Sequence, residues 1–326
     1  MWVVVIKKIS SAIISILSIT LVIFLLLKTA NTQSLDAILL NDNPLSDTSL
    51  ITQYRNYLTN IINGNWGYSS INNQPILQEV IALIPATIEL TFFATLMALL
   101  IGLIAGTVAT IFRHTFIDFF VLLISFVGYS VPIFWWGLIT MLVISLDWGL
   151  TPVSGRIGFL FDIEPITGFM LVDVFLNDVS NRWEAIKSIF NHLILPAMVL
   201  ATVPLSIIAR TIRAALIEIL QKDHILSAFA RGISGVKIYW IHAIRNALAQ
   251  SMPIFAMQIG ALVMGAIITE TIFSWPGLGK WLIESLNRGD FPAVHGSTIM
   301  LIFIIIVINS LLDIASAIIN PRLRKF

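Results

Sequence analysis

The sequence has no cysteine, and Asp, Glu, Lys and Arg together make up only 11% of its 326 residues. Without thiols there is no disulfide, no thiolate chemistry and no cysteine-based zinc site, so the loops must be ordered by packing alone. Nineteen basic residues face eighteen acidic ones for a net charge of +1, and no run of basic residues exists to bind a nucleic-acid backbone. There is no G-x-x-x-x-G-K-[ST] loop to cradle ATP phosphates and no H-E-x-x-H pair to hold a metal. His114, His192, His224, His242 and His295 are scattered and read as interfacial or loop histidines, and Ser130 has no histidine at helical register. No catalytic residue, metal or cofactor is expected. What is abundant is apolar surface: 57% of residues are hydrophobic and the mean hydropathy is +0.92, the composition of an all-α integral membrane protein.

A hydrocarbon core of about 30 Å takes about 20 apolar residues to cross. Six stretches qualify: 9–27, 86–112, 116–145, 190–212, 251–272 and 298–319. The first comes after a short basic patch as a signal peptide would, but it is too long for a signal core and has no small-x-small cleavage site after it, so it is expected to be retained as a span. With the N-terminus inside, the cytoplasmic pieces hold Lys7, Lys8, Arg113, Arg210, Arg213, Lys222, Arg231, Lys237, Arg245, Arg322, Arg324 and Lys325, the majority of the nineteen basic residues. The positive-inside rule then puts both termini in the cytoplasm. Three units are expected: 1–85, a first span and an outer segment with short helices; 86–320, the membrane core; and 321–326, a cytoplasmic tail.

Several local patterns exceed what a plain bundle needs. Gly102 and Gly106 form a small-xxx-small face for close helix approach. GYSVPIFWWG puts Pro132 in mid-span beside Trp135 and Trp136, which predicts a kinked helix, either a plain kink with interfacial tryptophans or a segment lining a pathway. In the outer loop 146–189, Arg156 either binds a carboxylate or ties the loop to Asp162 or Glu164. Glu89 and Glu270 lie near span ends, where interfacial or loop-facing positions are expected. Trp275-Pro276-Gly277 forms a turn at the outer end of the fifth span, with Trp275 either at the mouth of a pathway beside Glu270 or an interfacial anchor.

The longest polar interruption in the C-terminal half is DHILSAFARGISGVKIYWIHAIRNALAQ, residues 223–250. Asp223 can cap a short helix with Ile225, Ala228 and Phe229 on one face, ended by Gly232. Ser234 can cap a second helix with an Ile238, Ile241, Ile244 stripe and Lys237, His242 and Arg245 on its other faces. Helices this short are marginal alone in water, so the segment must lean on the bundle or on a partner.

This segment resembles the cytoplasmic EAA loop of ABC importer permeases: Ser227, Ala228 and Gly232 fall where that pattern has Ala, Ala and Gly, and HAIRNALAQ is similar to the matching stretch of dipeptide and oligopeptide permeases. It departs from the pattern at Leu226, where the motif has Glu, and at Ala249-Gln250, where it has Leu-Pro, with Pro253 close by. GYSVPIFWWG, LTPVSGR, PITGFMLVD, TETIFSWPGLGKWLIES and the closing NPRLRK extend the resemblance from about residue 60 to the C-terminus. SSINNQPI with IPATIEL is nearer the Sap-type members, and PIFWWG and TPVSGR nearer the dipeptide type, with the Sap type favoured.

The resemblance implies a six-helix type I importer permease in the bacterial inner membrane. Its expected partners are a second, homologous permease, two cytosolic ATPase subunits, a periplasmic substrate-binding protein and membrane lipid. Asp223, Ile225, Ser227, Ala228, Phe229, Arg231 and Gly232 would form the ATPase coupling helix. Pro132, Trp135, Trp136, Glu270, Trp275, Pro276 and Gly277 would belong to the pathway and its gate. The implied cargo is peptide, with a Sap-type link to antimicrobial peptide resistance, or else putrescine or another small cation. A secondary transporter would need intramembrane ionisable residues and an internal repeat, and neither is evident in the sequence.

Overall fold

The protein's structure, a computed structural model, describes residues 2–30, 49–179 and 181–319. The closing NPRLRK and the tail 321–326 lie outside these residues. Eleven helical elements are described and no strand, apart from an isolated bridge between Tyr68 and Pro75. They are α1 (Trp2–Ala30), α2 (Leu50–Ile62), α3 (Ile76–Ile111), α4 (Phe116–Ser130) and α5 (Ile133–Thr140, continued by a wide turn Met141–Asp147). Then come α6 (Met170–Leu176), α7 (Arg182–Leu220), α8 (Asp223–Ala230), α9 (Gly235–Ile272), α10 (Leu278–Arg288) and α11 (Phe291–Ile319).

Five of these helices are long and apolar enough to cross a membrane, and α4 with α5 makes a sixth candidate bent by 106°. The helices overrun the expected spans. The second begins at Ile76 instead of 86, the fourth at Arg182 instead of 190, and the fifth at Gly235 instead of 251. Hydropathy marks only the part of a helix that needs lipid, whereas backbone hydrogen bonding carries it on into polar surroundings. The 39 residues of α7 rise about 58 Å, nearly twice a hydrocarbon core. Prolines inside α3 (Pro85), α7 (Pro196, Pro204) and α9 (Pro253) are accommodated without ending the helix.

The core forms where α3 lies along α7 and both meet α9. The small face reaches α7 as its residues require: a Cβ at Gly106 would collide with the Ala209 carbonyl oxygen, and one at Gly102 would stand 2.8 Å from Ile208 Cγ2. Side-chain pairs mark the two ends of the bundle. At one, Lys8 Nζ meets Asp313 at 2.5 Å, and Arg213 grips Asp118 through two bonds of 2.6 and 2.7 Å. At the other, Tyr57 Oη lies 2.6 Å from His295 Nε2, and Asp290 accepts from the Ser69 hydroxyl and from the Ser70 N–H at 3.1 Å. His295 is thus a buried core histidine and not an interfacial one. Burial pushes the Tyr57 hydroxyl pKa up, and Tyr54 adds to the shift, so Tyr57 stays a neutral hydrogen-bonding group.

Candidate functional site

At the end carrying Arg213 and Asp118, α8 crosses beneath the bundle. Its N-cap is Lys222 in extended conformation, so Asp223 is the first helical residue and not the cap. Placing a carboxylate in the first turn still favours the helix N-terminus. Ile225 is 1% exposed and, with Ala228 packed beside it, belongs to the core cluster that also holds Leu216 and Ile219 of α7 and Ile238 and Ala243 of α9. Phe229, expected on the same inward face, lies on its flank at 49% exposure, and Leu226 is exposed at 53%. Asp223, Ser227, Arg231 and Gly232 are exposed as well.

The helix ends in a Schellman closure: Gly232 N–H donates to the Phe229 carbonyl (2.9 Å) and Ile233 N–H reaches back to Ala228 (3.2 Å). Gly232 takes φ +75°, and a Cβ there would meet nothing within 4 Å. Conformation therefore requires glycine here, and space does not. The expected second short helix is absent as a separate piece. Ser234 stands at the N-cap, but the helix it opens is the long α9. The stripe also shifts. Ile238 and Ala243 are buried while Ile241 is 50% exposed, because the wide turn Ile238–Ala243 replaces the 3.6-residue period with a longer one.

The opposite end is closed by a buried polar lock joining α3, the outer loop and the turn after α9. Arg156 donates from Nε (2.8 Å) and Nη2 (2.5 Å) to Glu89 Oε2, and Glu89 Oε1 accepts from the Leu171 N–H at 3.2 Å. Glu89 is 4% exposed and Arg156 9%: of the two positions expected for Glu89 the loop-facing one is found and the interfacial one is not, and Arg156 binds a carboxylate, that of Glu89 and not Asp162 or Glu164. The Arg156 guanidinium also stacks 5.7 Å from the centre of the Trp275 ring. Trp275 is 0% exposed and its indole N–H donates to the Ala86 carbonyl at 2.9 Å. An interfacial anchor would leave that ring accessible, and this one is core.

The reversal around Trp275 has two parts: a tight turn centred on Pro276, where the Gly277 N–H donates to the Trp275 carbonyl at 2.8 Å, and the helix end before it. At that helix end the positive φ falls at Ser274 (φ 48°), and the Trp275 N–H closes onto the Glu270 carbonyl at 2.9 Å, again in a Schellman pattern. Gly277 is needed for room, since a Cβ there would collide with the Glu270 carboxylate. Glu270, 0% exposed, aims that carboxylate at the N-terminus of α10, where Oε2 accepts from the Gly279 N–H (2.7 Å) and the Lys280 N–H (3.1 Å). That is the favourable place for a buried carboxylate, at the positive end of a helix. Thr87 Oγ1 accepts from the Leu278 N–H at 2.9 Å, so α3 holds both sides of the turn.

Between the two ends, the expected kink is a full break. Pro132 separates α4 from α5, and Trp136 donates to Thr202 Oγ1 at 3.1 Å while packing near Phe273. Trp135 is 49% exposed. Trp136 and Ile133, beside the break, pack on the Leu195, Val199 and Phe273 cluster, whereas Trp275 belongs to the main core and faces no opening. The partners in the Glu89–Arg156 and Asp118–Arg213 pairs are not legible in the sequence. Their only signal is a lone carboxylate in an apolar helix and a lone arginine elsewhere, with nothing local to match them. Among the described residues, no three His, Asp or Glu side chains gather to hold a metal.

A family model described as the inner membrane component of binding-protein-dependent transport systems matches residues 98–325. The chain is 44% identical over 279 residues to the di/tripeptide transport system permease protein DppB of Pseudomonas aeruginosa (strain UCBPP-PA14), covering 85% of this chain and 82% of that protein. It is 39% identical over 282 residues to the dipeptide transport system permease protein DppB of Escherichia coli (strain K12), with the same coverage. The putrescine export system permease protein SapB of Escherichia coli (strain K12) matches at 35% over 282 residues, covering 86% of this chain and 88% of that protein. The resemblance to peptide-type permeases is therefore found, but the nearer likeness expected for the Sap type is not.

Proposed function

The chain belongs to the family of inner membrane components of binding-protein-dependent transport systems, and from that premise we propose that it is the peptide-conducting permease subunit of an ABC importer. The dipeptide permeases it matches at 44% and 39% identity support peptide as the cargo class. Its partners in this account are a second homologous permease, a pair of cytosolic ATPase subunits and an extracytoplasmic binding protein, with both chain termini in the cytoplasm.

The observation that carries the reading is the form of α8. It is anchored on its inner side by Ile225 and Ala228 and leaves Leu226 and, on its flank, Phe229 exposed, at the end of the bundle rich in basic residues. A short amphipathic helix held at both ends, with Leu226 and Phe229 exposed beside Asp223, Ser227 and Arg231, can pass motion of a docked ATPase into α7 and α9, on which it rests. The Asp223–Gly232 segment is thus the proposed coupling surface. Pro132, Trp135 and Trp136, at the break in the third span, are proposed to line the pathway. Glu270, Trp275, Pro276 and Gly277 are proposed to act on the outer gate as its rigid frame.

Gly232 supplies the test. Replacing it with leucine forces a side chain into a left-handed conformation at a cost of about 1–2 kcal/mol and reshapes the turn. Gly232→Leu is expected to insert normally, to lose ATP-driven peptide uptake and to leave ATP hydrolysis no longer stimulated by loaded binding protein. Gly232→Asn, which tolerates positive φ, should retain most uptake. Equal uptake by all three forms would remove α8 from the coupling path.

A further inference from the structure

Arg210 is a charged residue inside an otherwise apolar stretch, and among the described residues no carboxylate pairs with it. Its Nε donates to the Ser206 carbonyl at 3.2 Å and its guanidinium lies 4.9 Å from the centre of the Tyr129 ring. Both contacts aim the side chain and leave the terminal nitrogens of the fork for another acceptor. Arg210 lies one turn before Arg213, near the end of the bundle marked by the Arg213–Asp118 pair, and a guanidinium there with no carboxylate partner among the described residues is open to an anionic ligand.

Arg210 borders a cavity of about 470 Å³ between α7 and α9, within the size range of small-molecule sites. Across it stands Ser251, 1% exposed, whose hydroxyl meets no hydrogen-bond partner. At the cavity's other end, Glu218 is already engaged by Gln250 Nε2 (2.9 Å) and by Lys222 (3.0 Å). The cavity therefore offers one free cation and one free buried hydroxyl, with its own carboxylate neutralised. That is a donor set for an anion, and a carboxylate matches the planar fork of arginine best.

We propose that this cavity is a passage subsite for the free C-terminal carboxylate of the transported peptide, with Arg210 pairing to it and Ser251 donating a further hydrogen bond. The inference rests on the peptide reading above and adds the end of the peptide that the permease itself recognises. Because the chain lacks cysteine, Ile254→Cys gives it a single thiol on the cavity wall.

In the assembled transporter in membrane vesicles, the alkylation rate of this thiol by N-ethylmaleimide is measured against rising concentrations of dialanine and of dialanine amide. Dialanine is expected to protect the thiol, and the amide, lacking the carboxylate, to protect about tenfold less well or worse. Arg210→Gln should raise the dialanine concentration for half-protection by a similar factor, and Arg210→Lys should recover part of it. Equal protection by acid and amide, unchanged protection in Arg210→Gln, or no protection in a complex that imports dialanine would overturn the assignment. Failure of the unaltered complex to import dialanine at all would instead overturn the peptide reading, and this subsite with it.

Discussion

Trp275→Ala is expected to lower the stability of the assembled subunit by about 3–5 kcal/mol, the range for emptying a buried tryptophan site. The ring is 0% exposed, sits in the main core cluster, donates an indole hydrogen bond to Ala86 and provides the face on which Arg156 stacks. Its sequence context, a Trp-Pro-Gly turn at the outer end of a span, suggests either a gate residue, whose loss would spare folding and alter coupling, or an interfacial anchor, whose loss would lower stability. Burial fits neither position but predicts a loss of stability: less folded protein and a melting temperature in detergent lowered by several degrees. Trp275→Phe, which keeps most of the packing and loses the hydrogen bond, should cost only about 1 kcal/mol for that bond plus a small cavity. A Trp275→Ala subunit with normal yield and melting but altered response to loaded binding protein would restore the mobile gate.

The second large effect is at the ion pair beneath that ring. Arg156→Ala strands the Glu89 carboxylate, 4% exposed, with only the Leu171 N–H for company, and breaking a buried pair by removing one partner costs about 3–5 kcal/mol. The double variant Arg156→Met, Glu89→Leu removes both charges and keeps the volume, so it should be much closer to the parent protein than Arg156→Ala is. Thermal unfolding of the three forms, with limited proteolysis of the outer loop 148–169, gives the comparison. An Arg156→Ala protein as stable as the parent would mean that the lock does not hold the loop.

Features legible in the sequence and features hidden in it separate along physical lines. The apolar runs, the small face of Gly102 and Gly106, the stop at Gly232 and the break at Pro132 are local. Each derives from a residue's own size, backbone range or missing N–H, and each appears in the structure. The partners of Arg156 and Trp275 are not local. Glu89 and Ala86 lie on a helix far away in the chain, and proximity in sequence points instead to Asp162 and Glu164. Hydropathy sets the helix ends too far inward because it reports the solvent around a helix and not its hydrogen bonding. The Ile238, Ile241, Ile244 stripe fails for a third reason: a wide turn changes the period within the helix, and no residue in that stretch announces it. The proposed coupling segment is legible from its Asp223 to Gly232 pattern, while the face it presents, Leu226 with Phe229, depends on the packing of Ile225.

Uptake of labelled dialanine into proteoliposomes tests the function most directly. The vesicles would carry this chain with its companion permease and ATPases, ATP would be supplied on the ATPase side, and binding protein on the other. A peptide-conducting subunit driven through α8 requires that uptake depend on both ATP and this chain, and that Phe229→Asp, which replaces an exposed apolar ring on the flank of α8 with a charge, abolish it while the two permeases still copurify. Uptake that continues undiminished with Phe229→Asp, or in vesicles from which this chain is omitted, would contradict it.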